Sequence, residues 1–133
     1  MMMAKNFARN RTALIGDASH VIHPLAGLGF NLALRDIAAL AETVTGQARL
    51  GLDIGSDASL APYESRRRLD TLMNAAMTDG LNRLFSNDIA PLRLVRDLGL
   101  RIVDRLPPLK QFLMHEAAGL TGDLPRLMRG EAI

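Results

Sequence analysis

The stretch from Arg11 to Ile37, R-T-A-L-I-G-D-A-S-H-V-I-H-P-L-A-G-L-G-F-N-L-A-L-R-D-I, constrains this 133-residue chain more than any other. Its apolar run Ala13-Leu14-Ile15 is too brief for a helix and suits a buried strand, expected over 12–16. Gly16 ends that run, and Asp17 sets a carboxylate at the strand's C-terminal end. Pro24 then disfavours helix at His23, and Gly27 and Gly29 open a long helical pattern. A strand, an acid at its tip, a loop and a glycine-rich helix start are the parts that hold a polar cofactor. The acid accepts hydrogen bonds from sugar-like hydroxyls. The helix N-terminus offers unpaired N–H groups and a partial positive charge to anionic or carbonyl oxygens.

Three strings, Gly16-Asp17-Ala18-Ser19-His20, His23-Pro24-Leu25-Ala26-Gly27-Leu28-Gly29-Phe30-Asn31-Leu32 and Arg35-Asp36, closely resemble the second FAD-binding motif of the flavoprotein aromatic hydroxylases. The H-P-L-A-G wording and the following L-R-D resemble the ubiquinone-biosynthesis branch of that family. The resemblance implies that Gly16 and Asp17 belong to the cofactor site, with Asp17 holding the ribityl hydroxyls of FAD. It implies that Pro24, Gly27 and Gly29 pass along the isoalloxazine ring, and that Asn31 sits where the helix start faces the flavin's pyrimidine carbonyl. Leu28 stands where the family usually has glutamine, and Ala33 where it usually has glycine. The phrases D-G-L-N-R-L-F-S-N-D, L-R-D-L-G-L and A-A-G-L-T-G-D-L-P-R-L resemble the C-terminal region of the same enzymes. The implied activity is hydroxylation of a lipophilic phenolic ubiquinone precursor by FAD, NADH or NADPH, and oxygen. The implied fold is the C-terminal piece of an FAD/NAD(P)-binding α/β monooxygenase, itself mainly α with one short β-strand.

Such enzymes also carry a strand followed by G-x-G-x-x-G, which wraps the ADP pyrophosphate. The chain has no such motif, since Gly27-Leu28-Gly29 belongs to the other end of the cofactor. It is therefore expected to be the C-terminal third of a longer enzyme and inactive alone, whether truncated, split or excised. The alternative is a non-catalytic helical subunit or partner-binding module descended from that family.

The totals narrow the field further. A hydrophobic content of 48% is enough to bury a core in one domain, taken as a single unit over 1–133. With 4% aromatics and no tryptophan, a stacking platform for single-stranded nucleic acid is not expected. The absence of cysteine excludes disulfides, thiolate metal sites and cysteine nucleophiles, and fits a reducing compartment. A net charge of +2 describes a solvated surface, with weak attraction to anionic lipid as the alternative. No apolar run approaches the ~20 residues of a membrane span. A cytoplasmic location is expected, with peripheral contact to the inner membrane.

Along the chain, residues 1–10 read as a polar, basic leading loop. The motif occupies 11–49, with a helix over 27–49 whose expected buried stripe is Phe30, Leu34, Ile37, Leu40 or Ala41, and Val44. A turn is expected over 51–59. The helical region of 60–133 then holds helices near 60–86, 91–106 and 108–118. The second helix should bury Tyr63, Leu69, Met73, Ala76 or Met77, Leu81 and Leu84. Its Arg66-Arg67-Arg68 run cannot share one face, because neighbours point about 100° apart. It reads as a solvated or packing feature, or as a contact to phosphate or lipid. The third helix should show Leu92, Val95, Leu98, Ile102 and Leu106 on one face, and the fourth Leu109, Phe112, Leu113 and Ala117.

Two further constellations are weighed and set lower. Asp17, His20 and His23 have the spacing of a metal site only on a regular helix, which Pro24 opposes, so no metal is expected. Ser19, His20 and Asp17 supply hydrolase residue types without a G-x-S-x-G elbow. No general base is nominated. Self-association, or a companion chain, is expected if apolar helix faces are left open.

Overall fold

The computed structural model describes residues 2–21, 28–86, 103–117 and 122–133. Two small antiparallel ladders lead the chain. The first joins β1 (Met2–Met3) to β4 (His20–Val21), and the second joins β2 (Ala8–Arg9) to β3 (Thr12–Ala13). A 3-10 turn over Gly16–Ala18 lies between β3 and β4. Three helices follow within the described residues: α1 (Leu28–Arg49), α2 (Asp57–Ser86) and α3 (Pro107–Ala117). A second 3-10 turn, Arg126–Arg129, lies near the end.

The leading loop expected over 1–10 is instead structured. Asn10 and Arg11 both take positive φ, 51° and 61°, which is the geometry of a two-residue hairpin matched to strand twist. Arg11 adopts it while its guanidinium grips both carboxylate oxygens of Asp53, at 2.7 and 2.9 Å. Asn10 N–H donates to Asp57 Oδ1, so the hairpin tip is tied to the α1–α2 connection. Phe7, the lone aromatic in that polar segment, is fully buried against Ala39 and Tyr63, with Met3, Ala4, Ala8, Ala13 and Leu40 around them. Burying such a ring is worth roughly 1.5–3 kcal/mol, enough to order a short polar segment around it.

The strand expected over 12–16 shrinks to Thr12–Ala13 and pairs with β2. Leu14 N–H still reaches Phe7 O at 2.7 Å, but Gly16 turns to φ +56° and ends the extended backbone. The described residues thus hold four two-residue strands within a mainly helical fold, in place of one longer strand over 12–16.

Helix α1 ends as a Schellman motif. Gly51, at φ +69°, donates to Ala48 O, and Leu52 N–H donates to Gln47 O. Helix α2 begins three residues before the expected position because Ser56 caps it, its Oγ accepting from Ser59 N–H at 3.2 Å. The expected helix 108–118 is α3. Residues 103–105 are helical, and the rest of the expected helix 91–106 falls outside the described residues apart from Leu106. The C-terminal tail packs on α1: Arg126 N–H donates to Glu42, and Arg49 Nη2 to Ile133 O.

The largest departure from expectation is which faces of α1 and α2 are inside. Phe30, Leu34 and Ile37 point outward, Phe30 being 71% exposed; on α2, Leu69 and Met73 are 62% and 65% exposed, and Ala76 is also exposed. The seam instead buries Leu32, Arg35, Asp36 and Ala39 against Leu60, Tyr63, Arg67 and Thr71. Of the expected α2 stripe Tyr63 is buried and Met77 half-buried, while the side chains of Leu81 and Leu84 lie outside the described set. Pairing across charges decides the outcome. Arg35 reaches Asp70, Asp36 takes Arg67, and Glu42 takes Arg66, so the helices run antiparallel with ionic groups between them. The three adjacent arginines accordingly diverge: Arg66 to Glu42 and Asp123, Arg67 into the seam, Arg68 to Lys5 O and Glu64.

Tyr63 ties this seam to the hairpin by donating its hydroxyl to Leu14 O. Tyr63→Phe leaves that carbonyl unpaired at little cost in volume, and should destabilise the chain by about 1–2 kcal/mol. A urea unfolding curve monitored by circular dichroism checks this through the shift in its midpoint.

Candidate functional site

The candidate site is the 3-10 turn Gly16–Ala18 together with the first turn of α1. Gly16 is needed where it stands. At φ +56° it is left-handed, and a Cβ there would lie 3.3 Å from the Cβ of Ala33 on α1. The turn therefore sits hard against the helix, and the methyl at Ala33 is accommodated because residue 16 has none. Ser19 closes the turn twice on Gly16 O, through its N–H at 2.9 Å and its Oγ at 2.8 Å.

Asp17 lies on the outer side of this turn and is exposed. Its carboxylate accepts no hydrogen bond from the described residues. It borders a cleft of about 210 Å³ between the turn and the β1–β4 ladder, whose walls include Met2, Met3, Ala18 and Val21. Gly29 is exposed in the first turn of α1, and a Cβ built on it would meet nothing within 4 Å. Asn31 is half-buried in the same turn. Among the described residues the turn and the helix start thus present an unpartnered carboxylate and an open glycine surface at the end of a helix. Pro24 and Gly27 lie outside the described residues, as does His23.

Among the described residues neither alternative chemistry is assembled, and His23 lies outside them. His20 does not turn towards Asp17; its Nε2 lies 2.9 Å from Asp36 Oδ2, and its ring is buried 6.1 Å from that of Phe7. Among the described residues no group of His, Cys, Asp or Glu is arranged to hold a metal. Ser19 is buried, and its hydroxyl proton is given to Gly16 O rather than to a base. The acid beside Ser19 and His20 is Asp36, not Asp17.

Asp36 is the residue that sequence reasoning did not single out. Its side chain is 0% exposed. Oδ2 accepts from Gly16 N–H at 2.8 Å and from His20, whose Nε2 must carry the proton because the carboxylate only accepts. Ser19 Oγ stands 3.4 Å from the same oxygen. Oδ1 accepts from Arg67 Nε at 2.6 Å. Arg67 also donates to Asp70, which Arg35 holds from α1. The signal available in the sequence was positional: Leu32, Asp36 and Ala39 share one helix face, so a charge stands within an apolar set.

Burial pushes the Asp36 carboxyl up, but the hydrogen bond from His20, the charge and hydrogen bond of Arg67 and the Gly16 amide together hold it below its ordinary value of 3.8. Burial, with Asp36 nearby, pushes the Tyr63 hydroxyl well above its usual range.

Residues 1–77 match the family described as "FAD binding domain". The chain belongs to that family, and FAD is the cofactor this membership implies. It is 51% identical over 133 residues to the ubiquinone hydroxylase UbiL of Rhodospirillum rubrum, covering 98% of this chain and 31% of that protein. It is 42% identical over 115 residues to the mitochondrial ubiquinone biosynthesis monooxygenase COQ6 of Homo sapiens, covering 86% of this chain and 25% of that one. The resemblance to the ubiquinone-biosynthesis hydroxylases is borne out by these relatives. The chain spans about a third or less of their length. No solved structure matches it. The geometry fits the cofactor, since an exposed acid without a protein partner and an open glycine at a helix start are suited to polyol hydroxyls and a flat ring.

A depressed carboxyl contributes stability that is complete above its unfolded pKa and is lost as pH falls through the folded one. The urea midpoint should therefore decline as pH drops below about 4. Asp36→Asn, less stable at neutral pH, should show a flatter decline across the same range.

Proposed function

We propose that this chain forms the ribityl and flavin-ring side of the FAD site in a monooxygenase that hydroxylates a phenolic precursor of ubiquinone. The carrying observation is the Asp17 carboxylate, exposed beside an open cleft, with its backbone clamped and no described protein partner. The names of the relatives support the reaction class, and the family match supports the cofactor. Bound FAD, reduced by NADH or NADPH, supplies the activation of oxygen for attack on an electron-rich ring.

In this reading the chain's own residues bind and orient. Asp17 accepts hydrogen bonds from ribityl hydroxyls, each such charge-assisted bond being worth about 1.5–3 kcal/mol. Gly16 allows the turn and Gly29 gives a plane room to approach; for Pro24 and Gly27, which lie outside the described residues, the part along the ring is what the resemblance implies. The N–H groups around Asn31 stabilise negative charge at the pyrimidine end by about 0.3–1 kcal/mol. The pyrophosphate cradle requires a glycine loop outside these 133 residues. The chain alone is accordingly a weak FAD binder and catalytically silent, and a longer or companion chain completes the site. In this reading the enzyme works in the cytoplasm and meets a lipophilic substrate at the periphery of the inner membrane.

The outward apolar faces favour a second reading, a partner-binding helical module without catalysis. Flavin binding separates the two. On titrating the isotope-labelled chain with FAD to the millimolar range, amide signals of Asp17, Ala18 and Gly29 should shift. Asp17→Ala should weaken binding about ten- to a hundred-fold and so erase the shifts. Shifts that are absent, or that survive in the variant, would leave Asp17 as a turn residue and favour the module.

Phe30, Leu34 and Ile37 at α1 and Leu69, Leu72 and Met73 at α2 should also drive self-association of the isolated chain. Phe30→Glu combined with Met73→Glu should shift its sedimentation towards monomer, and an unaltered profile would exclude these faces as the contact.

A further inference from the structure

Asp36 and Arg67 never touch Asp17, yet they hold what lies on both sides of it. Gly16 precedes the proposed cofactor acid, and Ser19 and His20 follow it. Gly16 N–H and His20 Nε2–H donate to one oxygen, Asp36 Oδ2, at 2.8 and 2.9 Å, while Ser19 Oγ, its proton given to Gly16 O, stands 3.4 Å from it. The other oxygen is held by Arg67 from α2. We propose that the buried Asp36–Arg67 pair is the positioning element of the cofactor turn, fixing the direction of the Asp17 carboxylate relative to the start of α1. This rests on the reading of Asp17 as a ligand of FAD.

Stability alone gives a poor reason for such a pair. Taking two charges out of water costs as much as their attraction returns, and a well-packed apolar pair at such a seam is often at least as stable. Here the compensation is also incomplete, because Arg67 Nη2 and Thr71 Oγ1 are buried without a partner among the described residues. What the ion pair supplies, and an apolar contact does not, is direction. A carboxylate has two acceptor oxygens set at a fixed angle, one for the turn and one for α2. The left-handed Gly16 needs an acceptor for its buried N–H at that point, and Asp36 provides it.

Asp36→Asn is the discriminating change, because an amide has one oxygen and one NH₂ in place of two oxygens. If its oxygen serves Gly16, its NH₂ faces the Arg67 N–H; flipped, the NH₂ faces the Gly16 N–H. Either way one side of the joint opens at nearly constant volume. Glu42→Gln is the control: it weakens the Arg66–Glu42 pair (3.1 Å) in the same helix seam and leaves the turn alone.

Both variants and the parent chain are titrated with FAD, and the shift at the Asp17 amide is compared at one sub-saturating concentration, normalised to folded fraction. The position of the Gly16 amide signal without FAD is recorded alongside. In Asp36→Asn the Gly16 signal should move and the FAD response should fall about tenfold, the loss expected for one misplaced charge-assisted contact. Glu42→Gln should change neither. If Asp36→Asn does not fold, Arg67→Lys, which keeps the charge but loses the Nε–H direction, decides by the same two readouts. A parental response in Asp36→Asn overturns this inference and leaves the cofactor reading standing, and an equal loss in Glu42→Gln overturns it as mere loosening of the seam. A parent chain with no response at Asp17 overturns the cofactor reading, and this inference with it.

Discussion

The buried carboxylate of Asp36 is the constraint on which the rest of this structure depends. Leaving such a charge in a protein interior without its partners costs several kcal/mol, a large share of the stability of any small domain. The chain meets that constraint by bringing separate pieces to one point: the 3-10 turn through Gly16 and β4 through His20, α1 through Asp36 itself, and α2 through Arg67. Two aspartates in one motif thereby acquire opposite characters. Asp36 is consumed internally, both oxygens engaged. Asp17, on the outer side of the turn it helps build, keeps its oxygens for something else.

Much of the candidate site was legible in the sequence, since its meaning is carried by short-range chemistry. A glycine and an aspartate after an apolar run, then a helix start rich in small residues, specify local backbone; α1 starts at Leu28 and ends before Gly51 much as the pattern implies. The seam was not legible, for a physical reason. Periodicity reports that a helix has two unlike faces; it does not report which is inside. Phe30, Leu34 and Ile37 form a good apolar stripe, yet the face that meets α2 is chosen by partners 31 and 35 residues away, Arg67 for Asp36 and Asp70 for Arg35. Phe7 failed to signal itself similarly. One aromatic in a polar segment has no period, and only the pocket made by Ala39 and Tyr63 makes it a core residue.

The family relationship and the inverted helices describe one circumstance from two sides. Relatives about three or more times as long share this segment. Within it the apolar surface of α1 and α2 is turned away from their mutual contact. In the proposed enzyme the polar seam organises the cofactor turn, and the apolar faces remain for packing elsewhere.

The ionic seam also bears on how freely the two helices can move past each other. Helices joined by apolar ridges can slide or repack, because one leucine substitutes for its neighbour a turn away. Arg35–Asp70, Asp36–Arg67 and Glu42–Arg66 all specify the same alignment, two of them through nearly buried groups. A slip by one helical turn, about 5.4 Å, would strand Asp36 and Arg67 together with no acceptor or donor opposite. The pair therefore behaves as a toothed rack rather than a greased bearing. A displacement imposed at the far end of α2 reaches the Gly16–Ala18 turn as a whole-body shift or not at all.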